Sequence, residues 1–169
     1  SARLAALCSD PEPRVRAQAL AALGDLQAIE LADKAAECLE DRDEEVRFEA
    51  AFALSSLTDP RGLPVIEALL TKSRRRLDAC EALRRLGDSR AVPALERQRK
   101  KWFLPWGDRL TVLATLYALG DTSTSEEIIA RTKARRPEER VYALSLIGSH
   151  RILEGRTTLE AVASNPKDP

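Results

Sequence analysis

The residues best suited to hold a ligand stand together near the middle of the chain. Arg97, Arg99, Lys100 and Lys101 make a basic run, and Trp102, Phe103 and Trp106 place three of the seven aromatic rings directly after it. Cations beside flat rings can grip a phosphate while a base stacks, or can anchor a protein interface, where tryptophan and arginine carry a large share of binding energy. Arg97, Arg99, Lys100, Lys101, Trp102 and Trp106 are therefore the candidate binding residues. Trp102 lies seven residues after Leu95, on the same helical stripe, which favours a core place for it and for Phe103. Pro105 is expected to end that helix before Trp106, which leaves Trp106 for the surface.

Other reactive residue types assemble into nothing catalytic. No nucleophile has an evident base, no glycine-rich loop could cradle a phosphate, and no pair of carboxylates sits on a known catalytic spacing. His150 is the single histidine and reads as a helix-end or loop residue, so neither a metal nor a cofactor is expected. Cys8, Cys38 and Cys80 are odd in number, far apart and set among apolar residues, which suits core thiols in a reducing, cytoplasmic compartment. Arg74, Arg75 and Arg76 read as a solvated turn. The acidic run Glu40, Asp41, Asp43, Glu44 and Glu45 sits where a helix dipole favours negative charge. Phe48 and Phe52, four apart, read as core, and Asp108 as the cap of a helix beginning near Arg109.

The elements that must position these residues are helices. Charged residues make up 32 % of the chain and aromatics 4 %, with alanine, leucine, glutamate and arginine prominent, a composition for amphipathic helices rather than sheets. No apolar run approaches the ~20 residues of a membrane span, and no signal peptide is visible. Formal net charge is zero, yet residues 1–60 hold 6 Lys/Arg against 13 Asp/Glu while residues 61–109 hold 13 against 6. An acidic first third and a basic middle third follow.

Self-similarity decides the architecture. Asp10, Val15-Arg16, Ala19, Ala22-Leu23 and Leu26 recur 31 residues later as Asp41, Val46-Arg47, Ala50, Ala53-Leu54 and Leu57. A third copy keeps Ala79, Ala82-Leu83 and Leu86-Gly87, a fourth Leu116 and Leu119-Gly120, and a fifth is matched on Leu144 and Ile147-Gly148. A period near 30 accommodates two short helices and two turns. Both helices of the first copy are one-sided, through Val15, Ala19, Ala22, Leu23 and Leu26 and then Ile29, Ala32, Ala35, Ala36 and Leu39. Asp10 is expected to cap a first helix, Pro137 to occupy a first helical position, Gly87, Gly120 and Gly148 to end helices, and Thr157 with Glu160 to form a capping box.

Such a pair cannot bury its stripe alone, so the fold class is all-α, an α-solenoid of about five helix-turn-helix repeats near residues 10–40, 41–70, 71–104, 105–134 and 135–164. Residues 1–169 are read as one repeat domain. Residues 2–8 align with the end of a second helix, so the chain is expected to be a piece of a longer protein. The pattern breaks at the end of the third copy, where Gln98-Arg99 replaces the apolar pairs Cys38-Leu39 and Leu69-Leu70 and leads into the basic aromatic segment.

The signature Asp10…Val15-Arg16-x-x-Ala19-x-x-Ala22-Leu23, its copy from Asp41, and Asp59-Pro60-Arg61-Gly62-Leu63-Pro64 together resemble the short bacterial HEAT-like repeat, often labelled by phycobilisome lyases. That resemblance implies one of several roles: interaction scaffold, bilin lyase or chromophore-chaperone subunit, deoxyhypusine hydroxylase, or DNA glycosylase-like nucleic-acid binder. The hydroxylase needs several His-Glu pairs for iron and is excluded by the lone His150. The expectation is a non-enzymatic scaffold or adaptor that binds another protein or peptide, with an acidic partner suited to Arg97–Lys101. Nucleic acid is the alternative, opposed by the acidic first third.

Overall fold

The computed structural model describes residues 2–164, and among them every regular element is helical. Eleven α-helices follow in order: α1 Ala2–Leu7, α2 Pro13–Asp25, α3 Ala32–Glu37, α4 Glu44–Ser56, α5 Leu63–Leu69, α6 Arg76–Leu86, α7 Val92–Arg99, α8 Trp106–Ala118, α9 Ser125–Arg131, α10 Pro137–Ser149 and α11 Arg156–Ala163. Longer first helices alternate with shorter second helices, mostly entered through a 3₁₀ turn, which is the all-α helical-repeat class expected of the period. Packing divides the chain into two compact units, residues 1–91 and 92–169. The division falls between the two helices of the third copy.

In the first unit, α2 and α4 share a core of Leu20, Leu23, Ala50, Ala53 and Leu54, and Cys8, Ala35 and Cys38 belong to it. Each fully buried leucine contributes about 2 kcal/mol by leaving water. The two helices approach closely because Gly24 has no side chain: a Cβ there would stand 3.0 Å from Ala53 Cα. All three cysteines are buried.

An arginine among the first four residues of each first helix ties that helix to the turn before it. Arg16 Nη1 donates to the carbonyls of Asp10 (2.9 Å) and Pro11 (3.2 Å), Arg47 Nη1 to Asp41 O (2.6 Å), and Arg76 Nε to Leu70 O (2.9 Å). In the second unit Arg109 and Arg140 do the same. These carbonyls lie at or just past the ends of second helices, where no intrahelical donor remains, so the guanidinium satisfies groups that would otherwise be orphaned. Arg76 is thus the third copy's counterpart of Arg16 and is buried. Of the expected solvated arginine turn only Arg74 is fully solvated, because Arg75 lies 4.5 Å over the Phe48 ring and pairs with Glu45 and Asp78.

The last residue of each first-helix turn takes a left-handed conformation: Gln27, Thr58, Gly87, Gly120 and Arg151, with φ of 51°, 57°, 68°, 104° and 50°. This corrects the fifth copy. Gly148 lies inside α10, and His150 rather than Ile147 stands where Leu26, Leu57, Leu86 and Leu119 stand. Ile147 matches Leu116, 31 residues earlier.

Several local expectations shift as well. Pro13 opens α2, and Asp10 Oδ1 accepts from Glu12 N–H in a turn before the helix rather than capping it. Thr157 lies within α11, whose cap is Gly155, and Glu160 accepts instead from Arg156 Nε, so no capping box forms. Leu26 and Ile29 are exposed, since the buried stripe of α2 runs through Ala17, Leu20, Leu23 and Gly24. Pro137 opens α10 as expected.

In the second unit α8, α9 and α10 enclose Leu110, Leu113, Ile128, Ala143, Leu146 and Ile147, with Ile152 from the turn before α11. Thr111 and Tyr142 hydroxyls meet at 2.6 Å at the edge of this core.

Candidate functional site

The basic aromatic segment forms the connection between α7 and α8. Helix α7 stops at Arg99, and the next amides turn back: Lys100 N–H donates to Glu96 O and Lys101 N–H to Gln98 O. Pro105 sits at the N-cap of α8 in an extended conformation (φ −52°, ψ 146°), so α8 begins at Trp106 and Asp108 falls in its first turn rather than at its cap. Arg109 closes the base of the loop. Its Nη1 donates to Arg99 O at 2.7 Å and its Nη2 to Lys101 O at 2.9 Å. Leu104 is buried and pins the other side.

Between these anchors the two neighbouring rings stand in solvent. Trp102 is 87 % exposed and Phe103 90 %, with ring centroids 6.5 Å apart and planes inclined at 77°. This reverses the expected division of the aromatics. Because α7 ends at Arg99, the stripe through Leu95 does not reach Trp102. Trp106, inside α8, turns to the core instead and meets Tyr142 edge to face at 6.0 Å and 75°. Edge-to-face geometry of this kind is the favoured arrangement of two quadrupoles.

The cations of the run divide too. Arg99 is held by Glu96 (3.2 Å) and Glu127 (3.4 Å) and is half-buried, so its charge is answered internally. Arg97, Lys100 and Lys101 are exposed, and among the described residues no carboxylate pairs with them. Gln98, in the place of an apolar residue, is buried with an Oε1 that has no hydrogen-bond partner. Arg97 is exposed on the last turns of α7, and the loop between the fixed ends carries two exposed rings and two exposed cations, Lys100 and Lys101. Trp106 and Arg99 lie behind it as support.

A second meeting of cations and rings, not anticipated from the sequence, lies on α4 and α6. Arg75 covers Phe48, and Arg85 lies 4.9 Å over Phe52, the two phenylalanines being 5.7 Å apart. Arg75 and Lys72 also pair with Glu45 and Glu44 beside a cleft of about 710 Å³. Here every charge and ring already has a partner, which suits a structural role. Phe48 is core as expected, Phe52 half-buried. The signal for this cluster was the +29 to +33 spacing of the repeats, which sets Arg75 and Arg85 beside α4.

His150 caps the end of α10 with Nδ1 3.0 Å from Ser149 Oγ. Among the described residues no three His, Cys, Asp or Glu side chains gather as metal ligands, and no helix is long and apolar enough to cross a membrane.

Comparison with known proteins supports the repeat. Residues 1–84 match the family model for HEAT repeats. Among solved structures the chain is similar to one in the complex of CpcE and CpcF of phycocyanin lyase from Nostoc sp. PCC7120, at 20 % identity and a TM-score of 0.64, covering 96 % of this chain and 70 % of that one. It is also similar to an engineered protein at 17 % identity and a TM-score of 0.53, covering 95 % and 85 %. No curated protein matches the sequence. Residues 1–84 thus resemble HEAT repeats, and the chain has an all-α helical-repeat fold.

Proposed function

We propose that this chain is a non-catalytic adaptor that binds an acidic segment of another protein through the loop between α7 and α8. The observation that carries the reading is the adjacent pair Trp102 and Phe103, 87 % and 90 % exposed on a loop anchored at both ends. Two large rings held in water by a fixed backbone lose little conformational freedom on binding and leave water when a partner covers them. Arg97, Lys100 and Lys101, exposed and just before the rings in sequence, add positive charge that steers an acidic partner. The related fold in the Nostoc complex is that of a protein solved with a partner, CpcE with CpcF, which is in keeping with a partner-binding role.

The test is affinity capture from native lysate, with and without nuclease, comparing the wild type with a Trp102→Ala, Phe103→Ala double variant. A nuclease-resistant protein retained by the wild type and lost by the folded variant is the expected result. Capture of nuclease-sensitive material, or a variant that keeps every partner, overturns the reading. A nucleic-acid ligand would also lose affinity steeply with salt, whereas contacts made by rings persist at moderate salt.

A further inference from the structure

We infer that the bound segment also reaches a second turn, the one between α9 and α10, and that it carries an aliphatic side chain for Trp102 and Phe103 with carboxylates about 10 Å further along. The inference rests on the adaptor reading and adds what that reading leaves open, the partner's pattern and the other half of the site.

The second unit repeats the device that fixes the loop. Arg109 of α8 holds the carbonyls of Arg99 and Lys101, and Arg140 of α10 holds those of Ala134 and Arg135. Thr111 and Tyr142, each two residues past its arginine, meet through their hydroxyls at 2.6 Å, so α8 and α10 pack side by side in that same register. Packed helices lie about 8–10 Å apart, which sets the two turns next to each other on one edge of the unit. Turns on this edge stay in water when repeats stack, because stacking covers the sides of the helices.

That edge is rich in unanswered charge. In the turn Thr132-Lys133-Ala134-Arg135-Arg136, the side chains of Lys133, Arg135 and Arg136 are exposed, as are Lys100 and Lys101 on the neighbouring loop. Among the described residues no carboxylate pairs with any of them. Asp108 and Glu138 lie in the first turns of α8 and α10, where the helix dipole favours negative charge.

A comparable turn in the first unit is neutralised from within. Lys72, four residues before Arg76, pairs with Glu44, three residues before Arg47. The second unit has Arg136 four residues before Arg140, and Trp106 three residues before Arg109. Where the first unit places a carboxylate, the second places a ring that packs against Tyr142, so α8 does not answer the charge of Arg136.

The two exposed rings choose among anionic partners. With planes inclined at 77° and centroids 6.5 Å apart, Trp102 and Phe103 cannot both lie face to face with flat bases in one stack, whereas a branched aliphatic side chain touches both in the angle between them. An extended peptide advances about 3.3 Å per residue, so carboxylates that begin about three residues from that side chain reach the α9–α10 turn.

Fluorescence anisotropy tests this with the whole chain and a fluorescein-labelled synthetic peptide made of two leucines, a glycine spacer and a run of glutamates. Wild type is compared with a ring variant, Trp102→Ala with Phe103→Ala, and a turn variant, Lys133→Glu with Arg135→Glu and Arg136→Glu. Both variants are expected to weaken binding, the turn variant about tenfold for three exposed charges reversed, with helical circular dichroism retained. Arg151→Glu, past the far end of α10, should change binding less than about twofold, because salt screens so distant a charge. Should the turn variant lose helicity, glutamine at the same positions takes its place. If only the ring variant weakens binding, the inference fails and the adaptor reading stands. If only the turn variant does, the rings take no part and both fail. A wild type that prefers an oligothymidylate of equal length, or binds neither probe, likewise overturns both.

Discussion

Truncating the three aromatics one at a time separates the two kinds of ring. Trp102 hides 13 % of its surface and Phe103 10 %, so with side chains of about 250 and 200 Å² and roughly 25 cal/mol per Å², Trp102→Ala and Phe103→Ala remove less than about 1 kcal/mol of burial each. Trp106 closes the core of the second unit against Tyr142. Trp106→Ala leaves a void there and also loses the edge-to-face contact, for about 3 kcal/mol. In a chain of this size about 1 kcal/mol corresponds to ~2–4 °C, so thermal melts followed by circular dichroism are expected to place Trp106→Ala some ~6–12 °C below wild type and the other two within about 3 °C of it. Fluorescence gives the complementary reading: the wild-type emission carries a red, solvent-like component that Trp102→Ala removes. If Trp102→Ala melts as low as Trp106→Ala, or leaves only red emission behind, the loop is packed and its assignment as a contact surface fails.

Gln98→Leu should raise stability by about 1 kcal/mol in chemical denaturation, because it removes a buried Oε1 with no partner and restores the apolar residue found at this place in earlier copies; a loss of stability would mean that the amide does make an essential bond. Arg16 holds the Asp41 carboxyl below its ordinary range through their side-chain hydrogen bonds, against the effect of burial. Since the folded pKa is depressed, the contribution of this pair is complete above the unfolded carboxylate value of about 4 and is lost as pH falls through the folded value. The melting difference between wild type and Asp41→Asn should therefore shrink on acidification, and a difference that stays constant down to pH 2 would refute the pairing. Burial pushes the Cys8 and Cys38 thiols upward in pKa, and Cys80 is equally enclosed. A disulfide reagent should accordingly find no fast-reacting thiol in the native protein and three after denaturation.

The repeat was readable because it rests on residues whose role is local. Val15-Arg16 and Val46-Arg47 mark first helices, and the arginine does the same work each time, holding the carbonyls of the turn before it. The fifth copy was misaligned because glycine was used as the sign of a left-handed helix end. Three of the five such positions are Gln27, Thr58 and Arg151, and the glycine that drew the eye, Gly148, is inside its helix.

The candidate site was found as a segment and misread in its parts. A seven-residue stripe from Leu95 to Trp102 presumes that the helix continues, whereas α7 stops at Arg99. What holds it there is a side chain from the next helix, Arg109, bonding two carbonyls across eight and ten residues. Such a contact has no periodic signature. Leu104, two residues past Trp102, takes the buried place, and Pro105, expected to release Trp106 to the surface, begins the helix that turns it inward.

The loop's role as a contact is tested most directly by placing a photoreactive benzoylphenylalanine at position 103 and, as a control in the same unit, at position 130, where the exposed Ala130 lies on α9. Irradiation in native lysate should yield a discrete protein adduct from position 103 and none from position 130, and the adduct should disappear when Lys100 and Lys101 are changed to glutamate. Adducts of equal yield from both positions, or none from position 103, would contradict the assignment of this loop as the surface that meets a partner.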